Sequence, residues 1–162
     1  MKVLTRDTVD KRQWKVGAWS SEPDEVDWID EVTGYKCMIR RAQELGHLCG
    51  YVCVPEDHIL HGCDRKTRIE MLRKDVELHD DYGPMEVFIE AMSDEGNGTV
   101  PLTLALKVHG NLTWAGEIPE QEGWWFGFDC GHHSDLSPGV YALSLPTSLC
   151  TNLTNWWIGT TE

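Results

Sequence analysis

The chemistry-bearing residues of this sequence crowd into one stretch, GWWFGFDCGHHSDLSPG, residues 123–139. Asp129, Cys130, His132, His133 and Asp135 fall within seven consecutive positions there. Carboxylate with imidazole is a donor set for divalent cations of intermediate hardness, and imidazole titrates near neutral pH, where acid–base catalysis operates. Gly127, Gly131 and Gly139 let the backbone turn sharply and approach a ligand closely. If Asp129 closes a strand and His132 opens the loop after it, both point to one rim. Asp129, His132 and Asp135 then read as ligands of a divalent metal ion, with His132 also able to move protons. The competing reading is a polar turn in which Ser134 and Asp135 merely satisfy backbone donors.

Two other segments offer imidazoles. His109 precedes Gly110 at the end of PLTLALKVHG, and His58 lies in EDHILHG, three residues before His61. Ends of strands that open into loops are where a rigid scaffold presents reactive groups, so His58 and His109 join His132 as catalytic candidates. Trp114, Trp124 and Trp125 are the ligand-binding candidates. In a strand the adjacent pair Trp124-Trp125 puts one ring on each face, so one packs in the core while the other stacks on a ligand. Core packing of both is the plainer account. Cys49, Cys53, His58, His61 and Cys63 superficially resemble a zinc cluster. On a strand, however, Cys49 and Cys53 are about 13 Å apart, too far for one tetrahedral ion without a bulge at Gly50. The signatures of dinucleotide-binding, P-loop, zincin and serine-hydrolase sites are absent from the sequence.

The elements that position these groups are mostly strands. KCMIRR and HLCGYVCVP flank the turn AQELG and read as an antiparallel hairpin that Pro55 ends. The spacing of Ile69, Leu72, Val76 and His79 predicts an amphipathic helix over 65–79, with a strand at its distal end as the alternative, and the alternation of Leu102, Leu104, Leu106 and Val108 predicts a half-buried strand. EGWWFGFDCGH reads as a strand leading into a loop, and GVYALSLP as a further strand. MEVFIEAMS and the tail TNLTNWWIGTTE have no clear type. The whole is an α+β fold: one domain over 1–162, built on an antiparallel sheet with one or two helices, with 1–22 as a peripheral or mobile segment.

Composition narrows the partners. With 14 Lys+Arg against 27 Asp+Glu, the formal charge is −13. That argues against coating duplex nucleic acid, which takes many cationic contacts to phosphate, but not against a small anionic ligand in a local site. No run is long and apolar enough for a membrane span or an export signal, so a cytoplasmic protein with reduced cysteines is expected. The N-x-T triplets at Asn97, Asn111 and Asn152 are then chance matches.

Three segments taken together, PDEVDWIDEVTGYKCMIRR followed by LCGYVCVPEDHILHG, then VHGNLTWAG, then WWFGFDCGHHSDLSPG, resemble a family of bacterial, prophage and phage proteins of unassigned activity. Its pattern reads LCGYVGVPxGHPLHG, then HGGLT[FY], then GFDCAHAGD, and the likeness covers roughly residues 23 to 140. Asp57 and Ile59 stand where the pattern has Gly and Pro, Asn111 replaces its second Gly, and His133-Ser134 replaces Ala-Gly. The resemblance implies a recurring set matched here by His58, His109, Asp129, His132 and Asp135.

Together the residues and the resemblance lead to the expectation of a hydrolase-like protein that acts on a small phosphorylated or nucleotide-like ligand. The chemistry would be acid–base or metal-assisted, with a divalent ion as cofactor, and a phage setting suggests interference with host nucleotide signalling. The alternatives are a homo-oligomeric binder that sequesters such a ligand, and an acidic module that engages a basic protein.

Overall fold

In a computed structural model of the chain, the described residues are 2–70 and 99–141. They form the strands β1 (Leu4–Arg6), β2 (Glu25–Ile29), β3 (Lys36–Arg41), β4 (Leu48–Val54), β5 (Arg68–Glu70), β6 (Thr99–Pro101), β7 (Trp114–Ile118) and β8 (Gln121–Asp129). Two short helical turns are α1 (Leu102–Ala105) and α2 (Pro138–Tyr141). Six strands make one antiparallel sheet in the order β1-β2-β3-β4-β8-β7, and β5 pairs with β6 apart from it. This is the expected α+β class.

The β3–β4 hairpin forms as its sequence dictates. Gly46 supplies the positive φ (75°) that the connecting turn needs, and β4 stops at Val54, ahead of Pro55. In antiparallel pairs, directly opposed residues share a face. Trp125 opposes Cys53, and Phe126 opposes Val52, so the aromatic run of β8 feeds both sides of the sheet. Met38, Cys53, Ile118 and Trp125 pack on one face with Tyr51. On the other, Val54, Leu102, Leu112 and Phe126 pack beneath Leu60, Ile69, Leu106 and Val108. Burying a side chain such as Phe126 contributes about 1.5–3 kcal/mol, so this second face accounts for the path of the long connection over it.

Three sequence expectations change. Residues 102–105 are helical rather than extended, because Leu102, Thr103 and Leu104 are all buried, which no half-exposed strand permits. Leu102, Leu106 and Val108 still reach the core, so the alternation marked burial without fixing conformation. In 65–70 a strand replaces the predicted helix: Asp64 accepts from the backbone N–H of Lys66 and Thr67 and turns the chain into β5. The described start of GVYALSLP is the helical turn α2, not a strand. The rest of the 65–79 and GVYALSLP segments, with MEVFIEAMS, the tail and Cys150, lies outside the described residues.

The N-terminal segment contributes the edge strand β1 and is tied down beyond it. Trp14 and Trp19 are buried. Asp24, fully buried, accepts from the backbone N–H of Thr8 (2.9 Å) and Val9 (2.8 Å) and from Arg41 Nε (3.0 Å), with Lys11 Nζ also 3.0 Å away. Arg41 further donates to Gly46 O and Glu22 Oε2, so this ionic knot anchors the segment to the β3–β4 turn. Trp14 donates to Glu44 O, and Gly139 N–H to Leu45 O, which docks α2 on that same turn. The loop between β8 and α2 is thereby held at both ends.

Candidate functional site

That loop carries Asp135. Its Oδ2 accepts from the backbone N–H of His132 (2.9 Å), and Asp135 N–H returns a bond to His132 O (3.0 Å), closing a tight turn. The polar-turn reading is therefore correct as far as it goes, but the carboxylate does more. His132 Nδ1 is 2.9 Å from Oδ2, and His109 Nε2 is 2.9 Å from both carboxylate oxygens. An ionised carboxylate only accepts, so both imidazoles present N–H to it. Burial works against the charge, but the bonds from His109, the His132 backbone and the His132 ring outweigh it and hold the Asp135 carboxyl below its ordinary range.

His109 arrives from the opposite side of the chain. Asn111 N–H bonds to Val108 O, and Gly110 (φ 58°) and Asn111 (φ 78°) both occupy the left-handed region, a tight reversal that aims His109 at the loop. Its ring stands 5.3 Å from that of His132 at 76°, and 6.5 Å from that of Phe128. Gly110 is obligatory here, since a Cβ on it would lie 1.8 Å from His132 Cε1 and 2.3 Å from Nε2. The His132 ring rests on bare backbone.

His109, His132 and Asp135 thus offer three ligand atoms within 4.8 Å of one another, a grouping that could hold a metal ion. The expected trio differs in one member, because Asp129 is not in the group. It opposes Cys49 and so lies on the Trp125 side of β8, whereas Phe128, beside His109, faces the other way. Asp129 instead accepts from Gly131 N–H (3.0 Å).

His58 does not converge either. It follows Val54, which pairs with Trp124, while Cys49 pairs with Asp129 near the site. The five intervening steps of strand span about 17 Å. There His58 Nδ1 accepts from Leu60 N–H (3.1 Å) and its ring meets Tyr35 edge-on, while His61 packs against Trp124. The zinc cluster of that region also fails to form among the described residues: β4 runs unbroken from Leu48 to Val54, and the five described cysteines are free.

Of the aromatic candidates, Trp125 is 2% exposed in the core and cannot meet a ligand, and Trp124 is partly buried and donates to Cys63 O (2.9 Å). Trp114 alone keeps an open surface, at 37%, braced edge-to-face by Tyr51. Burial, then the negative charge of Asp135, pushes the Cys130 thiol up to about 12.

Sequence reasoning passed over His47. Its ring lies 3.4 Å from where a Gly131 side chain would begin, and its Nδ1 is buried with no partner. The only sequence signal was its place directly after the turn glycine Gly46. Among the described residues no helix is long and apolar enough to cross a membrane. No protein family, curated protein or solved structure matches the chain, so the reading of the site rests on its own geometry.

Proposed function

We propose that this chain is a hydrolase for a small phosphorylated or nucleotide-like ligand, working through a divalent cation held by His109, His132 and Asp135. The observation that carries the reading is the meeting of three ligating side chains from two separate segments on one open rim. A core has no use for two histidines and an aspartate, whose burial costs free energy unless each is paired. The cation would polarise a phosphoryl oxygen and lower the pKa of a bound water. Asp135 orients both imidazoles, while Trp114, opposite Gly127 and against Tyr51, lies on the other face of the sheet. If the phage resemblance holds, the substrate is a nucleotide signal of the host.

Elemental analysis of the purified chain, followed by incubation with a panel of nucleotides and chromatography of the products, tests the proposal. Cation-dependent product that a chelator abolishes and Asp135→Asn removes supports it. Ligand retained through purification and released unchanged on denaturation replaces it with sequestration. Neither turnover nor binding across the panel leaves the acidic interaction module.

A further inference from the structure

We infer that the N-terminal segment is the clamp of this site, with Trp14 a positioning residue that sets the His132–Asp135 loop through the β3–β4 turn. Three successive carbonyls at the tip of that turn carry the coupling. Gln43 O accepts from Gln13 Nε2 (3.1 Å), Glu44 O from Trp14 Nε1 (3.3 Å) and Leu45 O from Gly139 N–H (2.8 Å). The first two donors belong to the N-terminal segment and the third to the exit of the site loop. The turn's own backbone bonds join Ala42 with His47 and Gly46, so its tip is fixed from outside.

Packing follows the same path. The buried indole of Trp14 lies on the bare backbone of Gly46, where a Cβ would stand 2.7 Å from Trp14 Cη2 and 3.0 Å from Pro138 Cδ. One glycine is thus gripped between the indole and the proline that starts α2. A Cβ on Gly139 would stand 2.9 Å from Glu44 O, the carbonyl that Trp14 bonds. At the loop's entry, Cys130 N–H donates to Leu48 O (2.8 Å), and the His47 ring lies 3.4 Å from where a Gly131 Cβ would be. Among the described residues, the backbone bonds that tie 130–139 to another element end on Leu45 and Leu48. Removing the indole takes away the surface on which Gly46 and Pro138 rest, and the loop's exit loosens first. His132 and Asp135 are then set only while the segment is docked, and displacing the segment disarms the site. That consequence rests on the reading that the site holds a cation, whereas the clamp itself needs no ion.

Amide hydrogen exchange of the purified full chain, read by NMR at Cys130 and Gly139, tests the clamp. Trp14→Ala should speed exchange at both amides at least about tenfold. Trp14→Phe, which restores a ring over Gly46, should bring the rates back to within about threefold. Met38→Ala empties a fully buried position in the cluster around Trp125. It should lower the melting temperature and leave these two amides protected. If Trp14→Ala does not fold, Trp14→Leu takes its place with the same expectation. Unchanged exchange in the Trp14 variant, or an equal rise in Met38→Ala, overturns the clamp. Titration with zinc chloride reads the consequence for the site: affinity should fall at least about tenfold in Trp14→Ala and hold in Met38→Ala. Full zinc affinity in a variant with fast exchange overturns the link to the site. No zinc uptake by the unaltered chain defeats the cation reading instead, and the exchange rates still decide the clamp.

Discussion

Asp24 and Asp135 are both carboxylates that gather donors from distant parts of the chain. Asp24 takes two backbone N–H groups and Arg41, with Lys11 alongside, and is sealed from solvent. Asp135 takes one backbone N–H and two imidazoles, and those imidazoles remain about one-third exposed. At Asp24, burial opposes the charge and is outweighed by the Val9 N–H, Lys11 and the Thr8 N–H. At Asp135 the same opposition is met by the bonds from His109, the His132 backbone and the His132 ring. Permanently charged partners in a sealed knot fix a fold. Imidazole partners, themselves partly exposed, hold a carboxylate near the surface.

The largest effect expected from breaking this contrast is at Asp24. Asp24→Ala removes the buried one of the two carboxylates paired with the buried Arg41 and should cost about 3–5 kcal/mol in urea denaturation. A loss below about 1 kcal/mol would mean that the knot is not the anchor of the N-terminal segment. Gly110→Ala comes next. The left-handed backbone alone costs about 1–2 kcal/mol, and the displaced His132 ring should abolish metal uptake in a protein that still folds. Retained uptake would show that the ring does not need its bed.

Asp135→Asn should change stability by less than about 1 kcal/mol, since the two imidazoles it bonds are partly exposed, while removing activity and metal binding. Unfolding of this variant would make Asp135 a second structural knot and erase the contrast. Acid titration sharpens it at the smallest scale. Both carboxyls are depressed in the fold, so each stabilises it above the unfolded value of about 3.9 and stops doing so as pH falls through the folded value. Urea melts at falling pH should therefore lose part of their acid-side slope in Asp24→Asn and in Asp135→Asn, and an unchanged slope in either variant would mean that the fold does not hold its carboxyl down.

Much of this was legible in the sequence, within limits set by strand geometry. The β3–β4 hairpin and β8 could be read because apolar runs bounded by Gly and Pro leave few alternatives. Both segments of the site were singled out as well. Which residue joins His132 and Asp135 was not legible, because a shift of one residue along a strand reverses the face. Asp129 falls on the Trp125 side, and His109 takes the place assigned to it. His58 stands apart from the group because it follows the end of β4 that pairs with Trp124, while the group lies by the end where Cys49 pairs with Asp129. The helical turn at Leu102–Ala105 was hidden because alternating leucines report which side chains are buried, not how the backbone gets them there.

His109 and Asp135 are 26 residues apart, and the β7–β8 hairpin lies between them. An ion gripped by both would tether the hairpin across its open mouth, so occupancy must register as resistance to heat. At a concentration about 100 times its dissociation constant, such an ion adds about 2.7 kcal/mol. A simple melting screen over metal salts would then report on this corner of the molecule before any substrate is known.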